Sequence, residues 1–153
     1  MSLMSLDLDA AFYFRYLDDI CTAVVPSKID SVLEKYNSFH QRLQFTSEVE
    51  GDKINFLDVT ISINENGFGF DWYRKPTFSG RFLNFNPNHP MAQKRGTILL
   101  LVDRAFLLSD FKFHTQNLTF IINILLDNDY PLTFIFDTVN QRIKSLIRNR
   151  HIV

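Results

Sequence analysis

The chain has 153 residues, a formal net charge of −1, a single Cys and a hydrophobic fraction of 46% that includes 16 Phe. This length and composition predict one folded domain with a real core and exclude a disordered chain. The single Cys excludes an internal disulfide. The sequence contains no apolar run of ~20 residues and no signal-peptide pattern. We therefore expect an intracellular protein with no membrane partner.

The charges are distributed unevenly along the chain. Residues 1–72 carry five basic and twelve acidic side chains, whereas residues 73–153 carry eleven basic and five acidic ones. This asymmetry suits a protein that holds metal cations in one part and phosphates in the other. Two solvated faces of one domain would give the same pattern.

The first predicted element is a β-hairpin over residues 11–25. Tyr16, Leu17, Asp18 and Asp19 lie between two apolar, aromatic-rich runs, so we expect Asp18 and Asp19 at the exposed tip. Tyr16 is expected on the same side of the strand as Asp18. Paired carboxylates on a rigid turn can hold the divalent metals used in phosphoryl transfer. Asp is also a favoured turn residue, so the pair alone is compatible with ordinary turn chemistry.

A helix and a three-stranded antiparallel meander are predicted next. Apolar residues at helical spacing predict a helix over residues 28–40. Alternating apolar and polar residues predict a strand over 43–50. Turns at residues 51–53 and 64–67 separate it from two further predicted strands, over 54–63 and 68–75.

Proline and glycine then mark residues 76–90 as an irregular linker. Beyond it the apolar period becomes helical, which predicts helices over 91–108, 114–126 and 131–148. The sequence therefore predicts an α+β protein in which a hairpin and a meander precede an all-helical part.

The stretch from residue 72 to residue 102 combines basic and aromatic side chains and contains no acidic residue. Basic groups bind phosphates, and aromatic rings pack against sugars or stack on bases. We therefore expect nucleic-acid contacts from the basic residues Arg74, Lys75, Arg81, Lys94 and Arg95. The aromatic residues Trp72, Phe82 and Phe85 are expected to belong to the core.

The predicted hairpin resembles the aromatic-x-Asp-Asp motif of reverse transcriptases over Phe14-Arg15-Tyr16-Leu17-Asp18-Asp19-Ile20. Later stretches are similar to the reverse transcriptases of Penelope-like retroelements. They are Gln44-Phe45-Thr46, Ile54-Asn55-Phe56-Leu57-Asp58-Val59, Trp72-Tyr73-Arg74-Lys75-Pro76-Thr77-Phe78-Ser79-Gly80-Arg81, Asn88-His89-Pro90 and Gln93-Lys94-Arg95-Gly96. The resemblance extends from about residue 11 to about residue 148.

The resemblance implies a partial polymerase palm over residues 1–75, the linker over 76–90 and a helical thumb over 91–153. Asp18 would be the main ligand of a two-metal Mg²⁺ site, Asp19 its partner, and Tyr16 would lean toward the primer terminus. The implied activity is RNA-directed DNA synthesis by nucleotidyl transfer from a deoxynucleoside triphosphate. The implied partners are an RNA template and a DNA primer, and the implied location is nuclear.

The chain departs from this family at its N-terminal side. The fingers and an earlier palm strand, with a further metal-binding aspartate, have no counterpart before the hairpin. We therefore expect an incomplete metal site and a fragment that is inactive alone. Two other interpretations stay open at this point, a non-catalytic nucleic-acid-binding module and an α+β interaction or scaffold protein.

Overall fold

The structure, a computed structural model, describes residue 10 and residues 12–65, 67–85 and 88–150. In chain order the strands and α-helices are β1 (Phe12–Tyr16), β2 (Asp19–Ala23), α1 (Ile29–Ser38), β3 (Lys53–Phe56), β4 (Val59–Asn64), β5 (Gly67–Trp72), α2 (Met91–Leu107), α3 (Phe111–Asp127) and α4 (Leu132–Arg150), with a short 3-10 helix (Pro26–Lys28) directly before α1. The strands form an antiparallel pair and an antiparallel three-stranded sheet, so the predicted α+β class is confirmed. No helix in these described ranges is long and apolar enough to cross a membrane.

The chain divides into two compact units between Glu50 and Gly51. The sheet β3-β4-β5 therefore belongs to the same unit as helices α2, α3 and α4. This differs from the prediction, in which the sheet ended a first domain and residues 76–90 were a linker. Residues 1–9, 11 and 66 of the predicted palm, 86–87 of the linker and 151–153 of the thumb lie outside the described residues.

In the first unit, β1 and β2 form the predicted hairpin. Leu17 and Asp18 make a two-residue turn, and Tyr16 pairs across the strands with Asp19. Because paired residues of an antiparallel ladder project from the same face, Tyr16 shares its face with Asp19 and not with Asp18. The prediction that placed Tyr16 beside Asp18 was wrong by one residue, because it counted Asp18 as a strand residue although it also expected Asp18 at the tip.

Helix α1 follows the hairpin and ends close to its predicted boundary. Its Tyr36 side chain is buried and lies 5.6 Å from the Phe45 ring, measured between ring centres. The Asn37 amide bonds both backbone groups of Phe45, accepting from N–H at 2.5 Å and donating to C=O at 3.1 Å. Side chains of helix α1 thus fix the position of the chain around Phe45.

The strand predicted over residues 43–50 is absent, although all of these residues are described. Alternation of apolar and polar side chains favours a strand only where a partner strand supplies the ladder hydrogen bonds. Here the Asn37 side chain takes the backbone groups of Phe45 instead. Leu43 and Val49, which the pattern directed inward, are more than 60% exposed.

In the second unit, the predicted strand over residues 54–63 is divided into β3 and β4. Leu57 and Asp58 form a turn between them, and Phe56 pairs with Val59 across it. Strand β5 then pairs with β4, for example Ile61 with Phe70. A meander of three consecutive strands therefore exists, but its first member is β3 rather than residues 43–50.

The two tight hairpin turns have the same backbone feature. Leu17 has φ of 53° and Leu57 has φ of 57°, both in the left-handed region. Side chains other than glycine or asparagine are disfavoured there, at a cost of about 1–2 kcal/mol per residue. The Arg15 Nε–H donates to the Leu17 carbonyl at 2.8 Å, and the Tyr73 N–H donates to the Asp58 carbonyl at 2.8 Å. Both turns are therefore supported from outside by a hydrogen bond.

Helices α2, α3 and α4 enclose the core of the second unit, which also receives Trp72 from β5. The buried apolar residues of this cluster are Trp72, Ile98, Leu101, Val102, Ala105, Ile121, Leu125, Tyr130, Ile135 and Val139. Asp103 and Arg142 join α2 to α4 by two bonds of 2.6 and 2.7 Å. The three predicted helices are confirmed, with α3 beginning three residues earlier than expected.

The α2–α3 turn protects one edge of the sheet. The Asp110 N–H donates to the Phe70 carbonyl at 2.9 Å, and the Phe70 N–H donates to an Asp110 carboxylate oxygen at 3.0 Å. Unpaired edge strands are sites of aggregation, and this contact occupies the backbone groups of Phe70.

Residues 76–85 carry no helix or strand, but they are packed against the helices. Asn128, at the end of α3, accepts from the Phe82 N–H with its side chain and from the Phe85 N–H with its carbonyl. Its amide nitrogen donates to the Gly80 carbonyl at 2.9 Å. The Phe85 ring lies 5.2 Å from that of Tyr130. This segment is therefore packed against the core. Trp72 is buried as expected, and Phe82 and Phe85 are partly buried against the core cluster.

The left-handed backbone of Leu57 leads to a prediction for stability. Leu57→Gly should give a protein more stable than Leu57→Ala by about 1 kcal/mol, because only glycine adopts this backbone without penalty. The comparison with alanine removes the effect of losing the side chain. Urea unfolding followed by fluorescence of Trp72, the only Trp in the chain, measures the difference. Equal stabilities of the two variants would contradict the assigned turn geometry.

A second prediction concerns alkaline pH and the first unit. Burial raises the pKa of Tyr36 to about 12, and the neighbouring Tyr13 acts in the same direction. The contribution of the neutral hydroxyl to stability is therefore complete below the ordinary pKa of 10.0 and is lost as pH rises through about 12. Tyr36→Phe should remove this loss while keeping the ring. Urea unfolding followed by far-UV circular dichroism from about pH 9 to about pH 11 tests it; an identical alkaline loss in the variant would contradict it.

Candidate metal-binding hairpin and basic surface

The hairpin tip presents two carboxylates to solvent. Asp18 is the second turn residue and Asp19 the first residue of β2, and both are exposed. Arg15 braces the turn through the Leu17 carbonyl, so the carboxylates stand on a supported backbone. Mg²⁺ is usually coordinated by one or two carboxylates together with phosphate oxygens and water. The donor set of the tip therefore fits Mg²⁺.

The tip offers two ligands and not a cluster. Throughout the described ranges, no group of three or more His, Cys, Asp or Glu side chains is placed to hold a metal ion. Tyr16 is more than half exposed and shares its face with Asp19. The three predicted catalytic residues are thus together at one end of the hairpin, with Tyr16 beside Asp19.

Arg74 is the most constrained of the predicted basic residues. Its guanidinium lies 4.1 Å from the centre of the Phe120 ring and 5.3 Å from that of Trp72. One of its N–H groups donates to the Asn117 side-chain oxygen at 2.9 Å. Cation–π contacts and this bond fix the guanidinium at the end of β5.

Asn117 is the centre of a buried polar network. Only 1% of Asn117 is exposed, and its amide nitrogen donates to an Asp71 oxygen at 2.9 Å and to the Ser109 hydroxyl at 3.2 Å. The Ser109 hydroxyl donates to the Ala105 carbonyl, and His114 bonds the Ser109 carbonyl at 3.0 Å. The network joins β5, the α2–α3 turn and α3 to Arg74.

Lys94 lies in the core and not on the surface. It is 2% exposed, and its ammonium lies 4.3 Å from the centre of the Phe85 ring. The phosphate contact expected of Lys94 therefore has no support in this arrangement. The sequence contained a signal for burial, since Lys94 is four residues before Ile98 and seven before Leu101, on the apolar face of α2.

The remaining predicted basic residues occupy different places. Arg95 approaches α4, where its guanidinium is 3.4 Å from the Gln141 side-chain oxygen. Arg81 is exposed, in the segment held by Asn128. Arg74 and Lys75 line a shallow cavity of about 290 Å³, in which neither Arg81 nor Arg95 takes part.

The cavity also contains charged residues that sequence reasoning missed. Arg104 of α2 and Asp58 of the β3–β4 turn line it, and their charged groups are 3.5 Å apart. Arg104 was within the predicted α2 but outside the basic stretch that ended at residue 102. Only the folded sheet brings Asp58 and Arg104 together with Arg74, so no local pattern identified the group.

The animal helix-turn-helix domain family matches residues 81–140, which are 60 of the 153 residues. This region contains α2, the three-residue turn 108–110, α3 and the beginning of α4. No curated protein and no solved structure is significantly similar to the chain.

The buried network leads to a prediction for stability. Asn117→Ala should destabilise the second unit by about 2–4 kcal/mol, because the buried Ser109 and the partly buried Asp71 and Arg74 all lose a hydrogen-bond partner. Asn123→Ala is the matched control, since Asn123 is exposed on the same helix. Its effect should stay within about 0.5 kcal/mol. Urea unfolding followed by Trp72 fluorescence distinguishes the two, and equal effects would contradict the role of Asn117.

Proposed function

We propose that the chain acts in RNA-directed DNA synthesis, as the part of a Penelope-like reverse transcriptase that carries the palm hairpin and a helical, duplex-binding unit. The observation that carries the proposal is the hairpin tip. Asp18 and Asp19 are adjacent, exposed and supported by Arg15, with Tyr16 on the face of Asp19. Polymerases use this arrangement to hold metal for nucleotidyl transfer.

In this proposal Asp18 and Asp19 hold Mg²⁺, which would neutralise the triphosphate of the deoxynucleotide and activate the primer hydroxyl. The chain's own contribution is positional. The turn keeps both carboxylates at the tip, and the ring of Tyr16, on the face of Asp19, would lean toward a primer terminus. Arg74 and Lys75, on the second unit, bind the backbone of the RNA–DNA duplex by its phosphates.

A second candidate function is a nucleic-acid-binding module without chemistry. The helix-turn-helix match over residues 81–140 and the cations of the shallow cavity favour it. The two functions differ at the hairpin, because only the polymerase needs metal there. A metal-binding experiment therefore separates them.

The proposal predicts a localised cation site at the hairpin tip. Mn²⁺, as a paramagnetic substitute for Mg²⁺, should broaden the amide NMR signals of residues 17–20 at roughly millimolar concentration, because two adjacent carboxylates attract it. Asp19→Asn should abolish the broadening. Asp58→Asn is the control and should leave the broadening at residues 17–20 unchanged, since Asp58 occupies the turn position of the β3–β4 hairpin that Asp18 occupies in the first hairpin.

Two results would count against the polymerase proposal. One is broadening at the Asp58 turn as strong as that at the Asp18 turn, which would mean that any turn aspartate suffices. The other is broadening at residues 17–20 that survives Asp19→Asn. If either result were joined with tight, salt-dependent binding of an RNA–DNA duplex, the non-catalytic module would be favoured.

A further inference from the structure

The cavity of the second unit collects three cationic side chains around one carboxylate. Arg74 comes from the chain after β5, Lys75 follows it, Arg104 comes from the last turn of α2, and Asp58 comes from the β3–β4 turn. Its volume is about 290 Å³, which is ample for a phosphate group. Charge alone therefore favours an anion as the ligand.

The floor of the cavity holds its central cation in one orientation. Arg74 lies against the rings of Phe120 and Trp72, and the bond to Asn117 uses one of its five N–H donors. A guanidinium that is already fixed loses little side-chain entropy when a ligand binds. Arg74 keeps further donors for a phosphate oxygen.

The rim of the cavity is a β-turn that exposes further phosphate-binding groups. The Phe78 N–H donates to the Lys75 carbonyl at 2.8 Å, and Pro76 occupies the second turn position, where its fixed φ is favourable. Lys75 and Thr77 are exposed and line the cavity. An ammonium and a hydroxyl of the cavity lining are thus accessible to a ligand from solvent.

Arg104 is held by a partner that an anion can replace. Its guanidinium is 3.5 Å from the Asp58 carboxylate, and the side chains are 39% and 49% exposed. Exposed ion pairs of this kind contribute little to stability, so they are readily exchanged. A phosphate would offer Arg104 two oxygens in place of the Asp58 carboxylate.

We propose that this cavity binds one phosphate group of a nucleic-acid backbone, held by Arg74, Lys75 and Arg104, and that Asp58 competes with it for Arg104. The inference rests on the proposed function for the identity of the ligand. Asp58 is then an intrinsic inhibitor of phosphate binding. Its removal should strengthen binding, which is the opposite of what a structural ion pair would give.

The first experiment uses a short RNA–DNA duplex and fluorescence anisotropy over a range of salt concentrations. Asp58→Asn should tighten binding about fivefold at low salt, because a negative charge beside the phosphate is removed. Arg104→Gln should weaken binding about five- to tenfold and reduce the slope of log affinity against log salt by about one. Unchanged Trp72 fluorescence would show that both variants are folded.

Matched controls remove the same charges elsewhere in the second unit. Asp137→Asn and Lys144→Ala change exposed residues of α4 that do not line the cavity. They should alter affinity less than twofold. If the control in each pair changed affinity as much as the cavity variant, net charge would explain the result and the proposed site would be overturned.

The second experiment uses inorganic phosphate without nucleic acid. Titration should shift the NMR signals of the Arg74 and Arg104 Nε–H groups, with a stronger effect in Asp58→Asn. Shifts without duplex binding would keep the phosphate site and overturn its nucleic-acid ligand together with the proposed function. Duplex binding by the wild type that is insensitive to Arg104→Gln and Asp58→Asn would overturn the site and leave the proposed function standing.

Discussion

The second unit depends on the amide of Asn117. One side chain, almost entirely excluded from solvent, accepts from Arg74 and donates to Asp71 and Ser109. A buried amide without partners would cost about 1–3 kcal/mol per unpaired group, so the three elements that supply those partners are held in one arrangement. The sheet, the α2–α3 turn and α3 are therefore connected through polar contacts as well as through the apolar core. The same amide also aims the guanidinium of Arg74. The orientation of Arg74 in the basic cavity is thus a consequence of how the polar groups of the core are paired.

Much of the fold could be predicted because its elements are locally determined. The helical period beyond residue 91 identified α2, α3 and α4, and the apolar runs around residues 16–19 identified the first hairpin. Two errors came from different causes. Residues 43–50 alternate like a strand, but the Asn37 side chain hydrogen-bonds the backbone groups of Phe45. Residues 54–63 were predicted as one strand, but the left-handed backbone at Leu57 turns the chain. The Asn37 contact does not follow from hydrophobic pattern, whereas the adjacent apolar residues Phe56 and Leu57 do interrupt the alternation at the turn.

The positions of most basic residues also could not be predicted from the sequence alone. Composition placed Arg74, Lys75, Arg81, Lys94 and Arg95 in one group, but the fold distributes them among the cavity, the core, the α4 side of α2 and an exposed segment. Lys94 could have been recognised as buried from its helical spacing to Ile98. Arg104 and Asp58 could not have been assigned to the cavity, since 46 residues separate them and only the packing of α2 near the sheet brings their charges together.

A comparison of the two hairpin turns distinguishes Asp18 from Asp19. Tyr16-Leu17-Asp18-Asp19 and Phe56-Leu57-Asp58-Val59 share an aromatic residue, a left-handed Leu and an Asp in the second turn position. Turn chemistry therefore accounts for Asp18 as well as for Asp58, and the presence of Asp18 alone says little about metal. Asp19 is different, because the equivalent position of the other turn is an apolar Val59. The turn does not require a carboxylate at that strand position, and Asp has a low propensity for β-strands. Asp19, rather than Asp18, is therefore the residue that the turn itself does not require.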